Sequence, residues 1–241
     1  MNKLIIAATA TFFLLSCNQP EKSDAPATIA PAADSSGFMS LFDGKSLAGW
    51  DYDSTVWRAE NGVAIGEVTP ERPLKTNSFL VWKGGMPADF EFKAEYRISD
   101  SGNSGVQYRS ETLADIPHAV KGYQADIDGP NQWTGQNYEE RGRGFLALRG
   151  QKATMGNDGK VQVTGSLGNG DSLKTVIHNK DWNEIWIVAK GNHMQHYING
   201  VPMADFTDED TAHRKSSGVI ALQVHVMPSM KVEYRNIRIK Q

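Results

Sequence analysis

Cysteine is nearly absent from this sequence: Cys17 is the only one in 241 residues. Whatever folds after it has no disulfides and no thiol for catalysis. Long apolar runs are missing too. The one near the N-terminus, residues 4–15, is about a dozen residues long, too short to span a bilayer. Neither sign of charge is in excess, with 25 Lys and Arg against 28 Asp and Glu and a net charge of −3. No basic patch points to nucleic acid, and no charge run forms a tail. Helical periodicity is almost lacking; only residues 207–215 could form a short turn. There is no compact metal-ligand motif and no glucanase-type cluster of alternating carboxylates, since Asp126 and Asp128 alone are a weak signal. Glycine, by contrast, is plentiful, with 23 residues, as a chain of many tight turns requires.

The N-terminus reads as an export signal. Lys3 gives a positive start, and the apolar run ends in Leu14-Leu15-Ser16-Cys17, which resembles a bacterial lipobox. That resemblance implies a leader over 1–17, diacylated at Cys17, and a lipoprotein held on a membrane of the bacterial cell envelope, facing the periplasm or on the outer membrane. Residues 18–36 are rich in Pro, Ala, Ser and Asp and read as a flexible linker. Residues 37–241 are then a single domain, long enough to bury a core.

Within that domain, short alternating segments recur between turn residues. Asn61-Gly62 and Asn199-Gly200 are hairpin signals. In residues 90–99, Phe92, Ala94, Tyr96 and Ile98 oppose Lys93, Glu95 and Arg97; in 106–110, Val106 and Tyr108 oppose Gln107 and Arg109. Strands are also expected at 56–60, 63–65, 78–82, 145–148, 160–163, 182–190, 193–198, 201–206, 218–226 and 232–240. Many short strands with Gly, Asn and Asp turns imply an all-β sandwich, best taken as a curved jelly roll.

The stretch 122–143 organises the candidate site. It opens as a strand, with Tyr123, Ala125 and Ile127 on one face and Gln124, Asp126 and Asp128 on the other. It then passes into a loop that gathers Trp133, Tyr138, Glu139, Glu140, Arg141 and Arg143. Near the C-terminus, Gln223 and His225 interrupt an otherwise apolar strand. If the apolar partners fill the core, then Glu95, Arg97, Gln107, Arg109, Gln124, Asp126, Gln223 and His225 share one outer, concave face. The remaining histidines, His178, His193, His196 and His213, read as surface residues near turns. His118 lies in a loop within reach of the site.

The segments LFDGKSLAGW, GNSGVQYRS, GYQADID, YEERGRG and GVIALQVHVMPSMKVEYRNIRIK together resemble the 3-keto-disaccharide hydrolase family over nearly all of residues 38–240. The resemblance implies a concanavalin A-like β-sandwich acting on glycosides already oxidised at C3 of the sugar. It departs from the family pattern after His225, where Val226-Met227-Pro228 stands in place of a small or polar residue and Gly. A 3-keto group acidifies the C2 hydrogen, so a base could start β-elimination of the C1 substituent and water could add back. By residue type His225 is the leading base, with Asp126 and Glu139 as rivals. Arg109, Gln124 and Gln223 could hold hydroxyls or the enolate oxygen, and Tyr123, Trp133 or Tyr138 could stack on the ring. Glu95, Gln107 and Arg141 complete the substrate-binding candidates. A divalent metal held by His225 with Asp126 or Glu95 is an open alternative to the cationic stabiliser. So are an ordinary glycoside hydrolase built on two carboxylates and a non-catalytic glycan-binding module.

Overall fold

Two Asn-Gly pairs show how local sequence builds this chain. Asn61 and Gly62 have φ of 51° and 83°, and Asn199 and Gly200 have φ of 50° and 78°. Left-handed conformation at both central residues makes the tight turn that matches strand twist. Each pair closes a hairpin, with Glu60 opposite Val63 and Ile198 opposite Val201.

The computed structural model describes Met1 and residues 34–241. The expected leader, Cys17 and most of the 18–36 linker lie outside the described residues. No helix among those described is long and apolar enough to cross a membrane.

The strands in chain order are β1 (Met39–Ser40), β2 (Trp50–Asp51), β3 (Trp57–Glu60), β4 (Val63–Val68), β5 (Ser78–Trp82) and β6 (Phe90–Ile98). Next come β7 (Asn103–Thr112), β8 (Val120–Asp128), β9 (Asn137–Glu140), β10 (Gly144–Ala147), β11 (Gln151–Met155) and β12 (Val161–Ser166). One short helix, α1 (Gly170–Leu173), precedes β13 (Asn183–Lys190), β14 (His193–Ile198), β15 (Val201–Asp208), β16 (Val219–Val224) and β17 (Met230–Lys240). They form a ten-stranded sheet in the order β12-β11-β15-β14-β13-β6-β17-β4-β3, with β1 also on β17. The seven-stranded sheet runs β10-β9-β8-β7-β16-β5-β2. The molecule is thus the expected all-β jelly-roll sandwich.

The core lies between the sheets. Phe92, Ala94 and Tyr96 of β6 and Ile185 and Ile187 of β13 meet Val106 and Tyr108 of β7, Tyr123, Ala125 and Ile127 of β8 and Leu222 of β16. All are at most 1% exposed. The alternation read from sequence therefore sets which residues enter the core, at about 25 cal/mol for each Å² of apolar surface buried. Four strands were not expected: the two-residue β1 and β2, and β9 and β11. β9 falls where a loop was read, because its sequence Asn-Tyr-Glu-Glu carries little apolar signal. β11 pairs in parallel with β15, and that long-range pairing leaves no local signature.

Candidate functional site

The site lies on the outer face of the seven-stranded sheet. Cross-strand partners share a face. Gly105 opposes Asp126 and Gln107 opposes Gln124 across β7 and β8, while Gln124 opposes Tyr138 across β8 and β9. A cleft of about 210 Å³ opens there, lined by Asn103, Gln124, Asp126, Trp133, Tyr138, Glu140, Phe145, Gln223 and His225. The structure thus brings together Gln124, Asp126, Trp133, Tyr138, Gln223 and His225 as the sequence proposes, with Gln107 directly behind them.

The floor is a buried hydrogen-bonded chain. Ser110 Oγ donates to Gln107 Oε1 at 2.8 Å, Gln107 Nε2 to Gln124 Oε1 at 2.6 Å, and Gln124 Nε2 to Asp126 Oδ1 at 2.7 Å. Gly105 makes this possible: a Cβ there would meet the Gln124 side chain at 2.6 Å. Burial pushes the Asp126 carboxyl up to about 8; the Gln124 bond opposes this, while the charges of Asp128 and Glu140 add to it. Asp126 therefore keeps a proton at neutral pH.

One wall is aromatic. Trp133 stacks on Phe145 with centroids 5.2 Å apart, and Tyr138 meets the edge of Phe145 at 5.1 Å. Asp128 sets this wall in place. Its carboxylate accepts from the backbone amides of Gln132, Trp133 and Thr134 at 2.7–2.8 Å. Arg149 holds the same loop through the Thr134 carbonyl at 2.7 Å.

His225 follows the end of β16. Its Nδ1 lies 2.8 Å from the Val226 carbonyl oxygen. A carbonyl only accepts, so Nδ1 carries the hydrogen and Nε2 of the neutral ring keeps its lone pair free. The carbonyl that fixes its tautomer is a backbone group, so it does not depend on which side chain stands at position 226. Asn77 ties this segment to the opposite wall: its Oδ1 accepts from the Val226 amide at 3.0 Å, and its Nδ2 donates to Glu140 Oε1 at 3.3 Å.

Six expected site residues, Arg141 among them, lie elsewhere. Glu95 belongs to the other sheet and faces the opposite side of the molecule, bound to Arg235 and Asn236. Arg97 shares that face and pairs with Glu233. Arg109 leaves the parity of β7 because the register shifts between Tyr108 and Glu111 and its own φ is 45°. Its guanidinium is buried against the carbonyls of Ala88 and Gly191. Tyr123 lies inside the sandwich, stacked on Tyr108 and donating to Asp208 at 2.6 Å. Glu139 sits opposite Tyr123 and shares its inward side, where Arg143 binds it together with Asp208 and Asp210.

Arg141 lines no part of the cleft; it is exposed, donating to Thr76 Oγ1 at 2.8 Å. Glu140, not nominated, is the β9 carboxylate that reaches the cleft. The alternation Tyr138, Glu140 against Asn137, Glu139 would have found it had β9 been read as a strand. His118 pairs with Asp51. His196 is not on the surface but fully buried between Tyr108 and the Gln136 carbonyl, and burial pushes its pKa down to about 4. Among the described residues no group of three or more His, Cys, Asp or Glu side chains is placed to hold a metal ion. Joint ligation by His225 and Glu95 is prevented because the two lie on different sheets.

The model of the 3-keto-alpha-glucoside-1,2-lyase-like domain, the 3-keto-disaccharide hydrolase family, matches residues 37–240. The chain belongs to this family. Membership makes it a carbohydrate-active protein of a class that acts on glycosidic bonds. No curated protein matches the sequence. Among solved structures, a candidate glycosyl hydrolase from Parabacteroides distasonis ATCC 8503 is 18% identical with a TM-score of 0.56, covering 85% of this chain and 98% of its own. A second from the same organism is 20% identical with a TM-score of 0.54, covering 85% and 93%. At such identities the likeness shows the family's sandwich fold and nothing finer.

Proposed function

We propose that this domain cleaves glycosidic bonds of 3-keto-glycosides by elimination and hydration, with His225 as base and Asp126 as acid. The observation that carries the reading is one cleft holding an imidazole with its Nε2 free and a carboxyl that stays protonated near neutral pH. A base and an acid of that kind are what the reaction needs. His225 Nε2 takes the proton from C2, and the C–H electrons form C2=C3 while the keto oxygen becomes an enolate oxygen. The enolate collapses to restore C3=O, C1=C2 forms, and the C1–O bond breaks. Asp126 gives its proton to the departing oxygen. Water then adds across C1=C2, so the net change is hydrolysis without oxidation or reduction. The family's description as a 1,2-lyase agrees with the first half of this sequence. The aromatic wall offers a face on which a sugar ring stacks.

The test is incubation of the purified protein with a 3-keto-glucoside and its unoxidised parent in heavy water, with and without chelator. Cleavage of the keto-sugar alone, with deuterium at C2 after correction for spontaneous exchange, supports the reading; cleavage without label refutes elimination. Asp126 and Glu140 line the same cleft, which favours an ordinary two-carboxylate glycosidase as the second reading; cleavage of the unoxidised parent would establish it. Sugar binding without cleavage would leave a glycan-binding module.

We further propose export and anchoring through Cys17. This rests on the leader's sequence. Cys17→Ala should release the protein from membranes or block its processing, and unchanged fractionation and processing would refute it.

A further inference from the structure

Gln223 is 1% exposed and lines the cleft, yet neither its Nε2 nor its Oε1 has a hydrogen-bond partner. Buried side-chain amides are ordinarily paired. Its neighbours explain why this one is not. On β5 it sits opposite Phe79, which has no polar group. On β7 the pairing of Ala221 with Gln107 and Leu222 with Val106 continues to place it beside Gly105, which has no side chain. Gln124 is already committed at both ends, to Gln107 and to Asp126. The groups able to complete Gln223 must therefore come from whatever fills the cleft. A primary amide offers an acceptor and a donor side by side. An α-hydroxyketone offers the complementary pair, a hydroxyl donor beside a carbonyl acceptor.

Resting on the elimination reading above, we propose that Gln223 recognises the 3-keto group itself. Nε2 donates to the keto oxygen and Oε1 accepts from the C4 hydroxyl next to it, leaving the C2 side of the ring open to His225. When the C2 proton leaves, negative charge gathers on the oxygen that Nε2 already holds, in a site shielded from water. The bond is then stronger in the transition state than in the bound substrate, which is the condition for catalysis. Gln223 is thus both the enolate stabiliser and the specificity determinant for oxidised over unoxidised sugars.

The experiment compares the full chain with Gln223→Met and Gln223→Leu on a 3-keto-glucoside and its 4-deoxy counterpart. The wild type should lose about tenfold in kcat/KM on the 4-deoxy substrate, because Oε1 is left unpaired. Gln223→Met should lose about 10²–10³-fold in kcat on the 3-keto-glucoside and treat the two substrates alike. Its Tm should not fall, since an apolar side chain of similar shape replaces an unpaired amide. Wild-type turnover by Gln223→Met, or a retained preference for the C4 hydroxyl, would overturn the inference while leaving the elimination reading intact. A wild type inert toward keto-sugars overturns both. If Gln223→Met does not fold, Gln223→Leu decides: it is of similar size and has no donor, so wild-type turnover in it overturns the inference.

Discussion

The outer faces of the two sheets read alike in sequence and differ completely in structure. Both carry long polar residues alternating with apolar ones. On the ten-stranded sheet those residues neutralise one another. Glu95 binds Arg235 and Asn236, Arg97 binds Glu233, and Glu184 binds Lys93 and Arg238. On the seven-stranded sheet the polar groups are amides, carboxyls and one imidazole, most of them buried; Gln223 is left unpaired and Asp126 is held protonated. Alternation marks a face as polar, but only the pairing of its groups separates a solvated surface from a site.

The largest effect expected from this contrast is on activity. His225→Ala should cost about 10²-fold or more in turnover, with the melting transition retained. Glu95→Gln should leave turnover unchanged, because Glu95 is on the far side of the sandwich. Equal losses in both variants, measured on the same keto-glucoside, would erase the distinction between the faces.

Next comes the buried ion cluster behind the site. Arg143→Met leaves Glu139, Asp208 and Asp210 without their shared cation, and should cost about 3–5 kcal/mol in denaturant unfolding. A loss below 1 kcal/mol would mean the cluster is not desolvated as the structure has it.

Asp126→Asn should trade activity for stability. The wild-type carboxyl is raised from 3.8 to about 8 in the folded state. Between those values the unfolded chain has ionised while the folded one still binds the proton, so the wild type is penalised increasingly as pH rises, reaching the full penalty above about 8. The variant lacks that penalty. Its Tm advantage should be near zero below pH 3.8, grow through the interval and level off above about 8. Wild-type turnover should fall as pH passes about 8 and the acid loses its proton. A Tm advantage independent of pH would show that Asp126 titrates normally.

The smallest effect is expected on the ten-stranded face. Glu95→Ala removes a half-exposed pairing and should cost no more than about 1 kcal/mol, less at high salt. A greater loss would mean these pairs carry stability that surface ion pairs ordinarily lack.

How far the site was legible can be followed residue by residue. Gln107, Gln124, Asp126 and Gln223 were found because each alternates with apolar residues in a strand, and the period of two survives folding; His225, just past the end of β16, still lines the cleft. Arg109 was misplaced by one bulge, which reverses a side chain without any change in composition. Glu139 and Glu140 are adjacent and chemically alike, so choosing between them required knowing that β9 is a strand and that Tyr123 lies opposite Glu139. Glu95 has the right parity on the wrong sheet.

The sequence by itself determined the all-β class, the hairpins at Asn-Gly, the core side of each regular strand and the family, because turn chemistry, side-chain alternation and motif order are local properties of the chain. Only the tertiary structure decided which strands share a sheet, which polar face is open, that Asp126 holds a proton and that Gln223 has no partner. Those depend on desolvation and on neighbours more than a hundred residues apart in sequence, such as Gly105 beside Gln223, and no local pattern encodes them.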